Sequence, residues 1–240
     1  MSLAGQRVVV IGGTSGIGFA VAEGALAEGA SVVVGSSNPQ NVAAAKARLA
    51  GAQGFAVDVT DEAEVERAFA EIGAFDHLAF TAGDWGGPRR GLLMDLDLEA
   101  GRAIFNVRFW GAAAVAKHAA KSIAPTGSIT FTDGMIAHRP TKGSALSTGM
   151  AGAVEHLTRG LAAELAPIRV NCVCPGMIRT GVWEQIPADV REERIKQMTA
   201  RQPLARIGEP QEAAEAYLYL MRGGYTTGQV LRVDGGGSLV

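Results

Sequence analysis

The sequence has almost no excess charge and no long apolar run. Its 22 basic and 24 acidic residues leave a net charge of −2, so the chain lacks the strongly basic character that is typical of nucleic-acid binding. The basic residues are scattered, without the basic run that indicates a membrane-surface segment. No apolar stretch approaches the length of a membrane-spanning helix. We therefore expect neither nucleic acid nor a membrane among its partners.

Cysteine is also scarce. Cys172 and Cys174 lie two residues apart in an apolar run, without Cys-x-x-Cys spacing and without the nearby histidines that would indicate a metal site. We interpret both as small buried side chains and predict no metal. The first apolar run begins at Val8, which leaves no room for a signal peptide before it. We expect a cytoplasmic, reducing location.

The sequence does contain a regular alternation of short apolar runs and segments with helical periodicity. This alternation predicts an α/β fold of the Rossmann type, a doubly wound parallel sheet with helices on both faces. A chain of 240 residues is long enough for one such domain. No internal repeat or low-complexity linker divides it, so we predict a single domain over residues 1–240.

Several segments around the predicted sheet carry their own expectations. Residues 84–91 are rich in glycine and predict an exposed loop. Helical periodicity predicts one long helix from about Leu98 to Ala120 and a second from about Ala145 to Leu165. Residues at about 177–205 are expected to form a small excursion that acts as a substrate lid.

The strongest motif is a glycine turn, Gly-x-x-x-Gly-x-Gly, between an apolar run and an alanine-rich segment. It predicts a buried strand, a tight turn and the start of a helix. Backbone N–H groups and the positive end of the helix make such a turn an anion site, and the glycines let a pyrophosphate approach closely. A plain tight turn is the alternative. The predicted pyrophosphate site comprises Gly12, Thr14, Ser15, Gly16, Ile17 and Gly18.

The end of the second predicted strand lacks the acidic residue that holds the adenosine 2′-hydroxyl in NAD-binding folds. Ser36, Ser37 and Asn38 stand there instead. They could donate hydrogen bonds to a 2′-phosphate, whereas an acid would repel it. This favours NADP(H) over NAD(H), although no arginine stands there either.

Two further strand ends are candidates for the same ligand. Asp58 follows the third strand and could receive the adenine amino group, or could simply open the next turn. Thr81, Ala82 and Gly83 follow the fourth strand. Their small size would let the backbone approach a flat ligand closely.

The motifs, in their order and spacing, resemble the short-chain dehydrogenase/reductase family over essentially the whole chain. The matching residues are Gly12–Gly18, Asp58-Val59, Thr81-Ala82-Gly83, Asn106, Gly127-Ser128-Ile129, Ile168–Asn171, Pro175-Gly176 with Thr180, Thr227–Gln229 and Val233–Gly236. The resemblance implies an NAD(P)-dependent oxidoreductase with a small-molecule substrate, assembled as a homo-oligomer, tetramer or dimer, through the two long helices. It also adds Val59, Pro175, Gly176, Ile178 and Thr180 to the cofactor site, with Thr180 at the nicotinamide carboxamide.

The resemblance further implies a catalytic Asn-Ser-Tyr-Lys set, in which tyrosine exchanges a proton with the substrate oxygen and lysine lowers its pKa. Asn106 matches the asparagine, whose alternative role is to support a bulge in its helix. Gly134, Ser147 and Ala151 stand at the serine, tyrosine and lysine positions. The three tyrosines of the chain all lie far downstream. The active site is therefore predicted to be atypical.

Reduction of a carbonyl creates an alkoxide, which needs a proton or strong stabilisation. The candidate catalytic residues are Asn106, Ser147 and Asp133, with His138 on the adjoining loop. The alternatives are helix-start chemistry for Ser147, a solvated loop acid for Asp133 and a subunit-facing surface loop for His138. An iminium ion or an electron-poor alkene would suit a site without an acid. The competing hypothesis is a catalytically inactive dinucleotide-binding protein, either a sensor or a supporting subunit.

Overall fold

The apolar runs of the sequence pair as parallel strands of one seven-stranded sheet. The computed structural model describes residues 2–83 and 91–240. The strands are β1 Arg7–Ile11, β2 Ser31–Ser36, β3 Gln53–Ala56, β4 Phe75–Phe80, β5 Ile123–Thr132, β6 Arg169–Pro175 and β7 Val230–Val233. Their order across the sheet is β3-β2-β1-β4-β5-β6-β7. This order reverses between β1 and β4, and such a switch point is where open α/β sheets bind ligands.

Helices cover both faces of the sheet, which confirms the predicted Rossmann-type fold. They are α1 Gly16–Ala27, α2 Pro39–Arg48, α3 Glu62–Ile72, α4 Leu98–Arg102, α5 Ala112–Ala119, α6 Ala145–Glu164, α7 Gly181–Glu184, α8 Ala188–Thr199 and α9 Pro210–Arg222. None of these helices in the described ranges is long and apolar enough to span a bilayer.

The alternation of side chains along β1 explains why helices pack on both faces of the sheet. Val8 and Val10 pack with apolar residues of α1 and α9, whereas Val9 and Ile11 pack with residues of α3, α5 and α6. Successive residues of a strand point to opposite faces, so a strand that is buried on both sides must be continuously apolar. All four of these side chains are at most 1% exposed. The central strand is thus fixed from both faces.

The long helix predicted from Leu98 to Ala120 is interrupted in the structure. The helix α4 ends at Arg102, a π-helical segment covers Asn106–Gly111, and α5 follows. A π turn is wider than an α turn, and it changes which side chains face the sheet. Two residues of this segment, Val107 and Arg108, border the main cavity of the protein. Residues 84–90 of the predicted loop lie outside the described residues.

The histidine of β4 lies deep in the fold. His77 is 1% exposed, and its Nδ1 and Nε2 lie 2.9 Å from Ser128 Oγ and 3.2 Å from Gln6 Oε1. Burial, followed by the charge of Arg169, lowers the pKa of His77 from 6.5 to about 4. The folded protein therefore keeps this imidazole neutral under conditions that protonate it in the unfolded chain.

We expect the free energy of unfolding to fall as the pH is lowered through the window from 6.5 to about 4. The unfolded chain binds the proton first, and at 1.36 kcal/mol per pKa unit His77 contributes about 3 kcal/mol to the loss. Urea denaturation of the wild type and of His77→Gln at several pH values would measure it. The variant should show the shallower pH dependence, and the exposed-histidine control His156→Gln should keep the wild-type slope. Equal slopes in wild type and His77→Gln would contradict the assignment.

Candidate active site

A cavity of about 460 Å³ lies at the carboxyl ends of the central strands, at the switch point between β1 and β4. Many of the residues that the sequence predicted for a dinucleotide line it. These are Gly12, Thr14, Ser15, Gly16, Ile17, Gly18, Ser36, Ser37, Asp58, Val59, Thr81, Ala82, Gly83 and Thr180. Other lining residues were not predicted for the dinucleotide, namely Ile11, Asn41, Val57, Val107, Arg108, Thr132, Gly181 and Val182.

The glycine turn after β1 has room for backbone but not for side chains. Gly12 adopts a φ of +86°, in the left-handed region that favours glycine. A Cβ on Gly18 would lie 2.3 Å from the carbonyl oxygen of Gly12 and 2.3 Å from Thr81 Oγ1. This close contact holds the first turn of α1 against the ends of β1 and β4.

The amino end of α1 fits an anionic group of the ligand. Ser15 is the N-cap of the helix, yet within the described chain no side chain caps that first turn by a hydrogen bond. Ser15 through Gly18 line the cavity, and the unpaired amide groups of a helix start attract phosphate. The residues present therefore fit the pyrophosphate of a dinucleotide.

The tight packing around Gly18 predicts the effect of adding one methyl group there. We expect Gly18→Ala to destabilise the fold by about 1–3 kcal/mol, because the new Cβ overlaps backbone that cannot yield, and to weaken NADPH binding. Gly152→Ala is the matched control, since nothing lies within 4 Å of a Cβ there and alanine favours a helix. Thermal unfolding with and without NADPH measures both effects. Normal NADPH binding by Gly18→Ala would argue against this cradle.

At the adenosine end of the cavity, the structure gives Asn38 a second role, and its predicted contact with the cofactor stays a prediction. Ser36, Ser37 and Asn41 line this end, but Asn38 does not. Instead Asn38 Oδ1 accepts hydrogen bonds from the backbone N–H groups of Gln40 at 2.8 Å and Asn41 at 3.2 Å, so the side chain is the N-cap of α2. Its acceptor atom is used inside the protein.

Asp58 stabilises the turn after β3 and also borders the cavity, so its contact with the adenine amino group stays a prediction. Its Oδ1 accepts hydrogen bonds from the backbone N–H of Thr60 at 2.9 Å and from the Thr60 hydroxyl at 2.7 Å, which stabilises the turn after β3. The residue also lines the cavity. The turn therefore holds the carboxyl group at the cavity wall.

Of the segment that follows β6, only residues from Thr180 onward line the cavity. Pro175 is the last residue of β6 and is buried, and a Cβ on Gly176 would lie 2.7 Å from Asp234 Cα. Ile178 lines a separate cavity of about 90 Å³. These three residues lie outside the main cavity, and Thr180 is the first residue of the segment to line it. The predicted contacts of Pro175, Gly176 and Ile178 with a dinucleotide stay predictions.

The catalytic candidates lie differently from the prediction. Asn106 is exposed and does not line the cavity, whereas Arg108, two residues along the π-helical segment, is 5% exposed and does. Arg108 Nη1 donates a hydrogen bond to the carbonyl oxygen of Asp133 at 3.2 Å. A Cβ on Gly83 would lie 2.5 Å from Arg108 Nη2, so the glycine leaves space for the guanidinium. The sequence signal for Arg108 was a charged residue flanked by Val107 and Phe109.

Ser147 and Asp133 are both buried rather than solvated. Ser147 is 8% exposed in the first turns of α6 and does not line the cavity. Asp133 is 0% exposed, so the alternative of a solvated loop acid is wrong. Its carboxylate lies in a cluster with His138, Glu155 and Cys174, which we call the β5–α6 cluster. Burial raises the pKa of Asp133 to about 7, and contact with Glu155 contributes to the rise.

The tyrosine nearest to the cavity is engaged inside the protein. The hydroxyl of Tyr217 lies 2.6 Å from Thr132 Oγ1, which donates a hydrogen bond to the carbonyl oxygen of Phe80 at 2.7 Å. Tyr217 is 0% exposed, and burial raises the pKa of its phenol. Thr132 lines the cavity, whereas the phenol is fixed behind it and does not line the cavity.

Comparison with known proteins identifies the family. A family model described as enoyl-(acyl carrier protein) reductase matches residues 12–238. The chain belongs to the short-chain dehydrogenase/reductase family. The short-chain dehydrogenase/reductase fsr5 of Gibberella fujikuroi is 37% identical over 254 residues, which cover 98% of this chain and 95% of that protein.

Two solved structures of the family share the fold over nearly the full length. MalC Reductase/Diels-Alderase from Malbranchea aurantiaca is 34% identical, with a TM-score of 0.92 and coverage of 99% of this chain and 98% of that chain. A small-chain dehydrogenase in complex with NADPH is 33% identical, with a TM-score of 0.84 and coverage of 98% and 99%. This short-chain dehydrogenase/reductase is therefore an NAD(P)-dependent oxidoreductase that uses a nicotinamide dinucleotide.

Proposed function

We propose that this short-chain dehydrogenase/reductase is an NADPH-dependent reductase of carbonyl compounds or enones, in which Arg108 stabilises the negative charge that develops on the substrate oxygen. The observation that carries the proposal is the buried guanidinium in the cavity wall, between Gly83 and the end of β5. The resemblance implies the nicotinamide near Thr180, on the same cavity. Arg108 therefore belongs to the end of the cavity where substrate and nicotinamide would meet.

The chemistry of a guanidinium selects among the substrates considered above. Its N–H groups are donors in a planar fork, which can bond more than one acceptor at a time. They need an acceptor atom, which a carbonyl or enone oxygen offers and an iminium nitrogen does not. The bound nicotinamide would supply the hydride. Arg108 would hydrogen-bond the substrate oxygen as negative charge develops there.

Arg108 stabilises charge in this scheme but does not supply the proton. A guanidinium does not deprotonate in proteins, so the alkoxide or enolate left after hydride transfer takes its proton from water. Thr132 also lines the cavity, but its own hydrogen is donated to the carbonyl oxygen of Phe80. Asp133 acts through its backbone carbonyl, which orients the guanidinium.

The decisive experiment follows NADPH consumption by the purified protein with a panel of ketones, aldehydes, enones and cyclic iminium ions. We expect turnover of the oxygen-containing acceptors. Arg108→Gln should lower kcat by about 100- to 1000-fold, the usual effect of losing an oxyanion donor, while NADPH affinity changes little. Arg102→Gln is the control, an exposed arginine of the preceding helix that pairs with Glu99.

Three outcomes would count against the proposal, in whole or in part. NADPH binding without turnover of any acceptor would favour a dinucleotide-binding protein that lacks activity. Full activity of Arg108→Gln would remove the arginine from the reaction while leaving the reductase assignment intact. A panel in which only iminium ions react would assign the other substrate class.

The preference for NADPH rests on the adenosine end of the cavity. Ser36, Ser37 and Asn41 line it, and their side chains can donate hydrogen bonds to a 2′-phosphate. We expect Ser37→Asp to raise the Kd for NADPH by about tenfold relative to that for NADH, which corresponds to about 1.4 kcal/mol of repulsion. Ser31→Asp, at the exposed opposite end of β2, should leave the ratio unchanged. Fluorescence titration with both cofactors measures it, and an unchanged ratio in Ser37→Asp would contradict this 2′-phosphate site.

The homo-oligomer, the lid at about 177–205 and the cytoplasmic location remain predictions. One observation bears on the oligomer, because Trp110 of the π-helical segment is 64% exposed. Large aromatic side chains are enriched where proteins associate. The segment between α4 and α5 is therefore the surface on which we propose that subunits meet.

A further inference from the structure

The β5–α6 cluster brings together four residues that are distant in sequence. Asp133 follows β5, His138 follows the 3₁₀ turn Met135–Ala137, Glu155 lies on α6, and Cys174 lies on β6. Each contributes one nitrogen, sulfur or carboxylate oxygen, and these four atoms all lie within 4.8 Å of one another. The cluster is separate from the residues that line the dinucleotide cavity.

The Asp133 carboxylate at the centre of the cluster lacks a hydrogen-bond donor, and Glu155 has only imperfect partners. Asp133 is 0% exposed, and neither of its carboxylate oxygens has a hydrogen-bond partner among the described residues. Glu155 is 5% exposed. Its Oε1 lies 2.5 Å from His138 Nε2, but without the geometry of a hydrogen bond. Buried charge without donors is strongly unfavourable, so either a shared proton or a bound cation neutralises this centre.

The neighbouring arginines contact the rim of the cluster. Arg159 Nη2 lies 3.8 Å from Glu155 Oε2, on the side away from the Oε1 that faces His138. Arg232 Nη2 lies 3.3 Å from His138 Nδ1, and Arg232 is exposed. Both arginines reduce the net negative charge, but the carboxylate oxygens of Asp133 remain without a donor.

We propose that the β5–α6 cluster binds one divalent transition-metal ion of the Zn²⁺ class, with Asp133, His138, Glu155 and Cys174 as its four ligands. Imidazole nitrogen, thiolate sulfur and carboxylate oxygen are the donors that Zn²⁺ uses. Four protein ligands fill a tetrahedral shell, so the site is structural and leaves no position for a substrate. The two carboxylates and the thiolate are the anionic partners that a divalent ion requires.

Binding of the ion releases protons from the centre. The proton that Asp133 and Glu155 share in the metal-free centre leaves to solvent. The Cys174 thiol releases its proton to solvent as sulfur binds the metal. The His138 proton then resides on Nδ1, and the exposed Arg232 moves away from this nitrogen. His138 is the partly exposed member, with a side chain 21% exposed, and it provides the path of entry. Through Asp133, whose carbonyl holds Arg108, the metal would fix one wall of the dinucleotide cavity.

Cobalt is the spectroscopic probe for the purified full chain. We expect one Co²⁺ per chain and a thiolate-to-cobalt charge-transfer band in the near ultraviolet, which Zn²⁺ displaces. Zn²⁺ at about 100-fold excess over its Kd should raise the thermal midpoint by roughly 5–10 °C. These readouts do not depend on NADPH or on turnover, so they test the metal separately from the proposed reaction.

The chain supplies matched controls for two ligands. Cys174→Ser should abolish the charge-transfer band, whereas Cys172→Ser should keep it, because Cys172 is an equally buried free thiol on the same strand. His138→Ala should weaken Co²⁺ binding by at least about tenfold. His156→Ala, at an exposed position of α6, should not weaken it, and this histidine pair remains informative if a buried cysteine variant does not fold.

The proposal is overturned if neither ion binds, or if Co²⁺ binds equally well to the His138 and His156 variants. It is also overturned if binding produces no charge-transfer band, since the ion would then lie away from Cys174. In these cases a proton shared by Asp133 and Glu155 neutralises the centre.

Discussion

The contact between Gly18 and the carbonyl of Gly12 determines where everything else in this short-chain dehydrogenase/reductase can lie. A Cβ at Gly18 would meet both that carbonyl and the hydroxyl of Thr81 at 2.3 Å, so only hydrogen permits α1 to lie this close to β1 and β4. The helix start then faces the carboxyl ends of the central strands. The ends of β1, β2 and β4 and the π-helical segment consequently surround one cavity.

Much of the fold was predictable, because strands buried on both faces must be continuously apolar. Val8 to Ile11 show this pattern and occupy the centre of the sheet. The glycine turn was predictable for a related reason, because its first and last glycines stand where a side chain would overlap the neighbouring backbone. Asn38 was harder to interpret, because the same amide can bind a phosphate or cap a helix. Only the position of α2 shows that its oxygen accepts from Gln40 and Asn41.

The reactive end of the cavity was less predictable because it depends on the direction of single side chains. The sequence indicated Asn106, but the π-helical segment turns Arg108 inward and leaves Asn106 exposed. Asp133 was expected near the site, yet the sequence does not reveal that α6 and β6 bring Glu155 and Cys174 to its carboxylate. Such contacts between distant segments arise only from the packed tertiary structure.

The π-helical segment also has a consequence for how this fold can diversify. A π hydrogen bond spans i to i+5, so this segment holds one residue more than an α-helix would in the same stretch. Each residue advances a helix by about 100°, and an inserted or deleted residue therefore replaces the side chain that faces the reactants. The sheet and the glycine turn are unaffected by such a change. In this architecture a shift of one residue in a single helical turn would alter the chemistry of the site while leaving the cofactor cradle intact.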